Sequence, residues 1–217
     1  MILRNQRTQQ ITVEFFIETY LPQSIIFKMS QAKTIHPDEF LKLLRALERT
    51  RNARRNKTMI YLTHWAGMRV GEVASLNIKD VVNKDGSIKS EIYLDPTQTK
   101  GNKSRVVVIP RKLQDELSRF TSTLWTTDLD RPLFVSSKDN RRFTSNSLGN
   151  LMKHFYKKAG IDNGSSHSGR RTFITTLARK GVGARVLQSL AGHQHLSTTQ
   201  RYIDINDEMR MEAAELI

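Results

Sequence analysis

The chain has 217 residues, 38% of them hydrophobic, 26% charged and 7% aromatic. That balance suits one globular domain with an appendage and excludes a disordered, collagenous or low-complexity protein. There is no cysteine, and Lys and Arg number 35 against 21 Asp and Glu, a net charge of +14; disulfides, thiolate nucleophiles and cysteine-based zinc sites are removed, and a polyanion becomes the first partner to consider.

No apolar run approaches the roughly 20 residues that cross a bilayer, so a membrane is not an expected partner. Residues 1–33 mix charge into each apolar cluster and carry no small-residue cleavage site, which makes them a poor signal peptide. They read either as a helical remnant of something larger or as an extension upstream of a start at Met29. A domain over 34–217 follows. Its first helix begins with Pro37, acids Asp38 and Glu39, and then Phe40, Leu43, Leu44 and Leu47 at helical spacing. A second runs through Met59, Ile60, Leu62 and Trp65 to a break at Gly67, and a third from about Val70 through Val73 and Leu76. Glu91 to Leu94 and Ser104 to Ile109 are short, Ile- and Val-rich, and flank a polar turn from Lys100 to Lys103, so a hairpin is expected. Helices near 111–124, 146–158, 168–180, 184–191 and 206–216 complete the reading, with loops at Asp130 to Pro132 and Gly160 to Ser166. The fold class is mainly α with a small antiparallel β-hairpin (α+β).

A basic run, KLLRALERTRNARRNK, sets seven cations against one Glu: Lys42, Arg45, Arg49, Arg51, Arg54, Arg55 and Lys57. Alone it reads equally well as a solvated helix face; the excess of base over the whole chain tips it towards phosphate contact.

Four separate clusters carry possible chemistry. In AGMRVGEVASL, Arg69 stands at a helix start between Gly67 and Gly71, with Glu72 one turn on. It can bridge Glu72 at the surface, or join the helix amino terminus as an anion site that Gly67 lets a ligand approach. In TKGNKSRVVVIP, Lys100 and Lys103 occupy the hairpin turn ahead of Arg105; such turns are usually soluble edges, yet a lysine there can swing into a groove and deliver a proton. In SSHSGRRTF, His167 and Arg170 are three apart, on one helical face. A histidine to move a proton and an arginine to hold non-bridging oxygens suit phosphoryl transfer. In SLAGHQHLSTTQRYI, Tyr202 follows His193 by nine positions; a phenol, with an ordinary pKa of about 10, needs a positive field before it attacks anything. A metal site on His167, His193 and His195 is not expected, because no acidic ligand set accompanies them, and no phosphate-binding loop for ATP occurs.

In chain order, A-G-M-R-x-G-E, T-K-G-x-K-x-R, H-x-x-R and A-G-H with its later tyrosine make this sequence resemble the tyrosine recombinase, or phage integrase, family, over about residues 34–217. The resemblance implies that Arg69 and Arg170 clamp a scissile DNA phosphate. It makes Lys100 the proton donor to the leaving oxygen, His167 and His193 the active-site histidines, and Tyr202 the nucleophile of a 3′-phosphotyrosyl intermediate. Glu72 orients, and Lys103 and Arg105 join the basic run as DNA contacts. It further implies double-stranded DNA as substrate, four copies acting on two sites, DNA-bending accessory proteins, no metal or nucleotide cofactor, and a cytoplasmic, nucleoid-associated location. Gly169 and Arg171 depart from the family's H-x-L-R-H, and Asp204 from a frequent histidine. Residues 1–33 are also too few to form the helical domain that commonly precedes the catalytic one, as in compact invertases or a catalytic piece of a longer integrase. A non-catalytic DNA-binding protein and a topoisomerase-like relaxase are the competing readings.

Overall fold

The computed structural model describes residues 32–203 and 214–215; the readings of residues 1–33 and of a helix over 206–216 fall almost wholly outside them. Helix α1 (Pro37–Glu48) starts at its proline, with the Glu39 carboxylate accepting from the backbone amide of His36 at 3.1 Å. Leu43 and Leu47, one turn apart, bury its inner face. Helix α2 (Ala53–Trp65) has Asn56 and every residue from Thr58 to His64 buried. It is the central element around which α1 and the later helices pack.

Beyond Gly67 come α3 (Val70–Ser75) and α4 (Ile78–Val81), the latter begun by Asp80 accepting from the amide of Asn77 at 2.8 Å. Strands β1 (Glu91–Leu94) and β2 (Arg105–Val108) pair antiparallel, with Glu91 opposite Val108 and Leu94 opposite Arg105. Ile92, Leu94 and Val107 face the core. Their connection is longer than the four-residue turn read from the sequence, because a 3-10 turn, Pro96–Gln98, precedes it. Gln98 Nε2 donates to Asp80 Oδ2 at 2.9 Å and fastens that turn to α4. Helix α5 (Arg111–Thr121) stops short of residue 124: Ser122 and Thr123 turn their hydroxyls back onto the carbonyls of Arg119 and Phe120.

Helices α6 (Ser145–Lys158), α7 (Ser168–Arg179), α8 (Ala184–Ala191) and α9 (Leu196–Gln200) follow. Helix α6 buries Leu148, Met152, Phe155 and Tyr156 against α1 and α3, and α7 lies along α2. Arg142, in the loop before α6, donates to the carbonyls of Ala74, Ser75 and Leu76 and so closes the end of α3. Among the described residues the architecture is mainly helical with one two-stranded antiparallel sheet, as the sequence pattern implies. No helix among the described residues is long and apolar enough to cross a membrane.

The contact between α2 and α7 explains the departure at Gly169. A Cβ there would lie 2.3 Å from Thr63 Oγ1 and 2.6 Å from His64 Nδ1, so these two buried side chains already fill the space that the family's leucine would need. His64 occupies that space, donating from Nδ1 to the carbonyl of Ile60 at 3.0 Å and lying 3.5 Å from the Tyr156 hydroxyl. Burial pushes its imidazole down to about 4, against a smaller opposing effect of the Ile60 hydrogen bond. Because that lies below the ~6.5 of an open chain, the unfolded state takes the proton first as pH falls. Stability is therefore expected to drop by about 3 kcal/mol between pH 6.5 and pH 4 from this residue alone. Urea unfolding across that range checks it; a His64→Leu variant that keeps the full acid slope contradicts it.

Candidate active site

Gly67 turns the chain from α2 towards α3 with φ +62°, and a Cβ on it would strike the Phe173 ring at 2.4 Å. Its bareness thus serves a left-handed turn and the packing of α7, where the sequence suggested room for a ligand. The same turn aims the Gly67 carbonyl at Arg170, whose Nη1 donates to it at 2.6 Å.

Arg69 is the N-cap of α3. Its amide donates to Glu72 Oε2 at 2.7 Å, its Nη1 to Glu72 Oε1 at 2.8 Å, and its Nη2 to the carbonyl of Gly192 at 3.1 Å. The bridge to Glu72 read as a surface pair is a buried one: the carboxylate side chain is only 1% exposed. Arg170, on the first turn of α7 and buried, also donates from Nη2 to the carbonyl of Ala191 at 2.6 Å. Burial, then the Arg69 and Arg105 guanidiniums, push it down to about 9, still cationic at neutral pH.

Two of these three carbonyl acceptors, Ala191 and Gly192, come from one helix end. Helix α8 closes on Gly192 in the left-handed conformation, φ +62°, which exposes the carbonyls of Ala191 and Gly192 at the negative end of its dipole. His193 follows, its Nδ1 sharing a 2.9 Å hydrogen bond with the hydroxyl of buried Thr199. Burial, then Arg170, Arg69 and Arg105, push its imidazole down to about 4, so the ring is neutral at physiological pH. Tyr202 lies beside it, ring centroids 5.8 Å apart and planes inclined 22°. The guanidinium of Arg171 sits 5.4 Å from the Tyr202 ring centroid, while its Nε reaches the Thr34 hydroxyl at 3.2 Å.

The structure therefore gathers Arg69, Glu72, Arg105, Arg170, His193 and Tyr202. His167 is the N-cap of α7 and exposed, unlike buried Arg170, so the spacing of three does not give them a common environment. Lys100 and Lys103 are exposed on the hairpin tip, which approaches the pocket rim: a Cβ on Gly101 would lie 3.3 Å from Gln194 Nε2. Sequence reasoning missed Thr199, the contact of Arg171 with Tyr202, and the burial of Arg105. Only the last left a signal, a charge on the strand parity of Val107 and Ile109. Among the described residues no three His, Asp or Glu side chains gather as a metal site.

The basic run divides in two. Lys42, Arg45, Arg49 and Arg51 are exposed. Arg54 donates to the carbonyl of Arg119, Arg55 to that of Val135, and Lys57 pairs with Glu48 at 3.0 Å, so these three also brace the fold. Arg51, Arg54, Arg55 and Lys57, with Arg119 and Glu116, line an open cleft of about 840 Å³. It lies at the amino end of α2, about 20 Å along that helix from Gly67, and is separate from the arginine cluster.

Residues 33–209 match the phage integrase family. The chain is 33% identical over 188 residues to the tyrosine recombinase XerA of Pyrococcus horikoshii, a match covering 86% of this chain and 61% of that protein. It is 25% identical to transposase A from transposon Tn554 of Staphylococcus aureus, over 83% of this chain and 51% of the other. A crystal structure of XerA recombinase superposes with a TM-score of 0.67 at 27% identity, covering 86% of this chain and 64% of that one. The chain spans about three fifths of the length of these XerA relatives.

Proposed function

The chain belongs to the phage integrase family, and on that premise we propose that it cuts and rejoins double-stranded DNA at specific sites with Tyr202 as nucleophile. The observation that carries this reading is the Tyr202 ring set against neutral His193 beside a cluster of three guanidiniums, Arg69, Arg105 and Arg170, that holds one carboxylate, Glu72. That excess of positive charge is fixed in place by protein carbonyls before any ligand arrives, the condition under which charge growing on a phosphate is stabilised most.

In the proposed step Tyr202 Oη attacks the scissile phosphorus and the bond from phosphorus to the 5′-oxygen breaks, leaving a 3′-phosphotyrosyl link and a 5′-hydroxyl. The tyrosyl proton passes to His167 and the leaving oxygen takes one from Lys100. Arg69 and Arg170 hold the non-bridging oxygens, with His193 as a neutral hydrogen-bonding partner. Attack by a 5′-hydroxyl of the second duplex then reverses the chemistry and exchanges the strands. The phosphodiester energy stays in the covalent link, so no metal or nucleotide enters the scheme. Four copies on two sites, with proteins that bend the DNA and a location alongside cellular DNA, complete the proposal.

The direct test is incubation with a nicked duplex carrying a site that the protein itself selects from random DNA. A protein–DNA adduct that survives denaturant supports the reading; binding without any adduct overturns it in favour of a non-catalytic DNA-binding role. Affinity is expected to fall steeply with salt. Replacing Lys42, Arg45 and Arg49 by Ala is expected to lower the slope of log affinity against log salt by about 0.9 for each lost contact. An unchanged slope removes that helix face from the DNA.

A further inference from the structure

The geometry points to Arg105 as a positioning residue, a buried brace that holds Glu72 and the Ala191–Gly192 turn in register so that Arg69 and Arg170 face one phosphate. The inference rests on the strand-transfer reading and assigns to the site a residue that its sequence neighbourhood places among DNA contacts.

Arg105 lies on the inward row of β2 with its side chain only 9% exposed. Its Nη1 donates to the carbonyl of Ala191, the same oxygen that takes Nη2 of Arg170. Its Nε lies 3.5 Å from Glu72 Oε1, the same oxygen that takes Nη1 of Arg69. One side chain thus touches the anchor of each of the two exchange-site arginines. Gly192 fits this arrangement: its left-handed φ of +62° already favours a bare residue, and the space beside it is taken by Arg105, whose Nη1 and Cδ would lie 2.6 Å and 2.8 Å from a Cβ there. Nε and Nη2 of Arg105 are buried and have no hydrogen-bond partner among the described residues. A cation hidden this way contributes little to an external DNA surface, and its desolvation is costly unless the fold uses its charge and shape. Here both serve the pocket: the guanidinium adds to the field at His193 and links a strand, a helix start and a helix end.

The experiment compares Arg105→Gln and Arg105→Lys with the full chain in three measurements: single-turnover adduct formation on the selected nicked duplex, salt-dependent DNA affinity, and NMR titration of His193. Both variants are expected to form adduct about 100-fold more slowly, the scale on which small misplacements act, with affinity within about twofold and an unchanged salt slope. In Arg105→Gln the His193 titration should rise only slightly from about 4, because burial, Arg170 and Arg69 depress it more than Arg105 does, while the backbone amides of Ala191 and Gly192 in the same spectra should shift as their turn loses its brace. Adduct formation within about threefold of the parent overturns the proposal, and so does a slope reduced by about 0.9, which puts Arg105 on a DNA phosphate. If Arg105→Gln does not fold, as read by thermal unfolding, Arg105→Lys carries the kinetic and salt tests. If the parent chain itself makes no adduct, the strand-transfer reading fails. The amide signals of Ala191 and Gly192 then decide separately, and unmoved signals in folded Arg105→Gln overturn the brace.

Discussion

Tyr202→Phe is expected to abolish the covalent protein–DNA adduct while leaving DNA affinity within about twofold of the parent, since one hydroxyl contributes at most a modest net hydrogen bond to binding. Only Oη is lost. The ring keeps its place beside His193 and near the Arg171 guanidinium, because both contacts are made by the aromatic face. The chemistry has no substitute: histidine and lysine side chains near the site can move protons, but the reading gives none of them the attack on phosphorus. Denaturing gel analysis of the nicked duplex should show a complete loss of the shifted band, with gel-shift binding retained. A band of undiminished intensity would move the nucleophile elsewhere and end the assignment of Tyr202.

Arg170→Lys is expected to slow adduct formation by about 100- to 1,000-fold, the range seen when one preorganised donor to a developing oxyanion is removed. Charge alone does not preserve the function here. The guanidinium fork reaches two carbonyls at once, Gly67 through Nη1 and Ala191 through Nη2, both at 2.6 Å. A lysine is a point charge on a flexible stem and has no such fixed fork. The abandoned carbonyl, buried at the start of the turn into α3, adds a stability loss of about 1–3 kcal/mol. Thermal unfolding separates this from the kinetic effect: rates measured well below the transition should still be reduced. A variant cleaving at the parent rate would show that Arg170 supports the fold and not the reaction.

Much of the local structure around this pocket was legible in the sequence. The A-G-M-R, H-x-x-R and A-G-H segments are local, and each fixes a turn or helix start together with the polar side chain beside it. The helix starting at Pro37, the break at Gly67 and the hairpin strands were legible for the same reason: caps, left-handed turns and period-two alternation act within a few residues. Where the sequence misled, as in taking Gly67 to make room for a ligand, or was silent, as at Gly169 and Gly192, the explanation needed a partner far away in sequence. Gly67 is bare because Phe173 lies against it, Gly169 because His64 does, and Gly192 because Arg105 does.

Charge shows the same division. The sequence by itself determined that the chain is strongly basic, that the helices from Pro37, Val70, Arg111, Ser168 and Ala184 and the hairpin start about where they do, and that a tyrosine, arginines and histidines stand at offsets resembling the family's; it did not mark α4 or α9. It did not determine which cations face water and which lie inside. Arg105 and Arg45 look alike in a list of bases, yet one is buried against Glu72 and Ala191 and the other is exposed. Burial is decided by residues that close over a side chain from β2, α3, α7 and the end of α8, and the cost of desolvating a guanidinium is met only when those elements deliver a carboxylate and carbonyls to it. That meeting of distant segments is a property of the tertiary structure, because no stretch of a few residues contains both the charge and its partners.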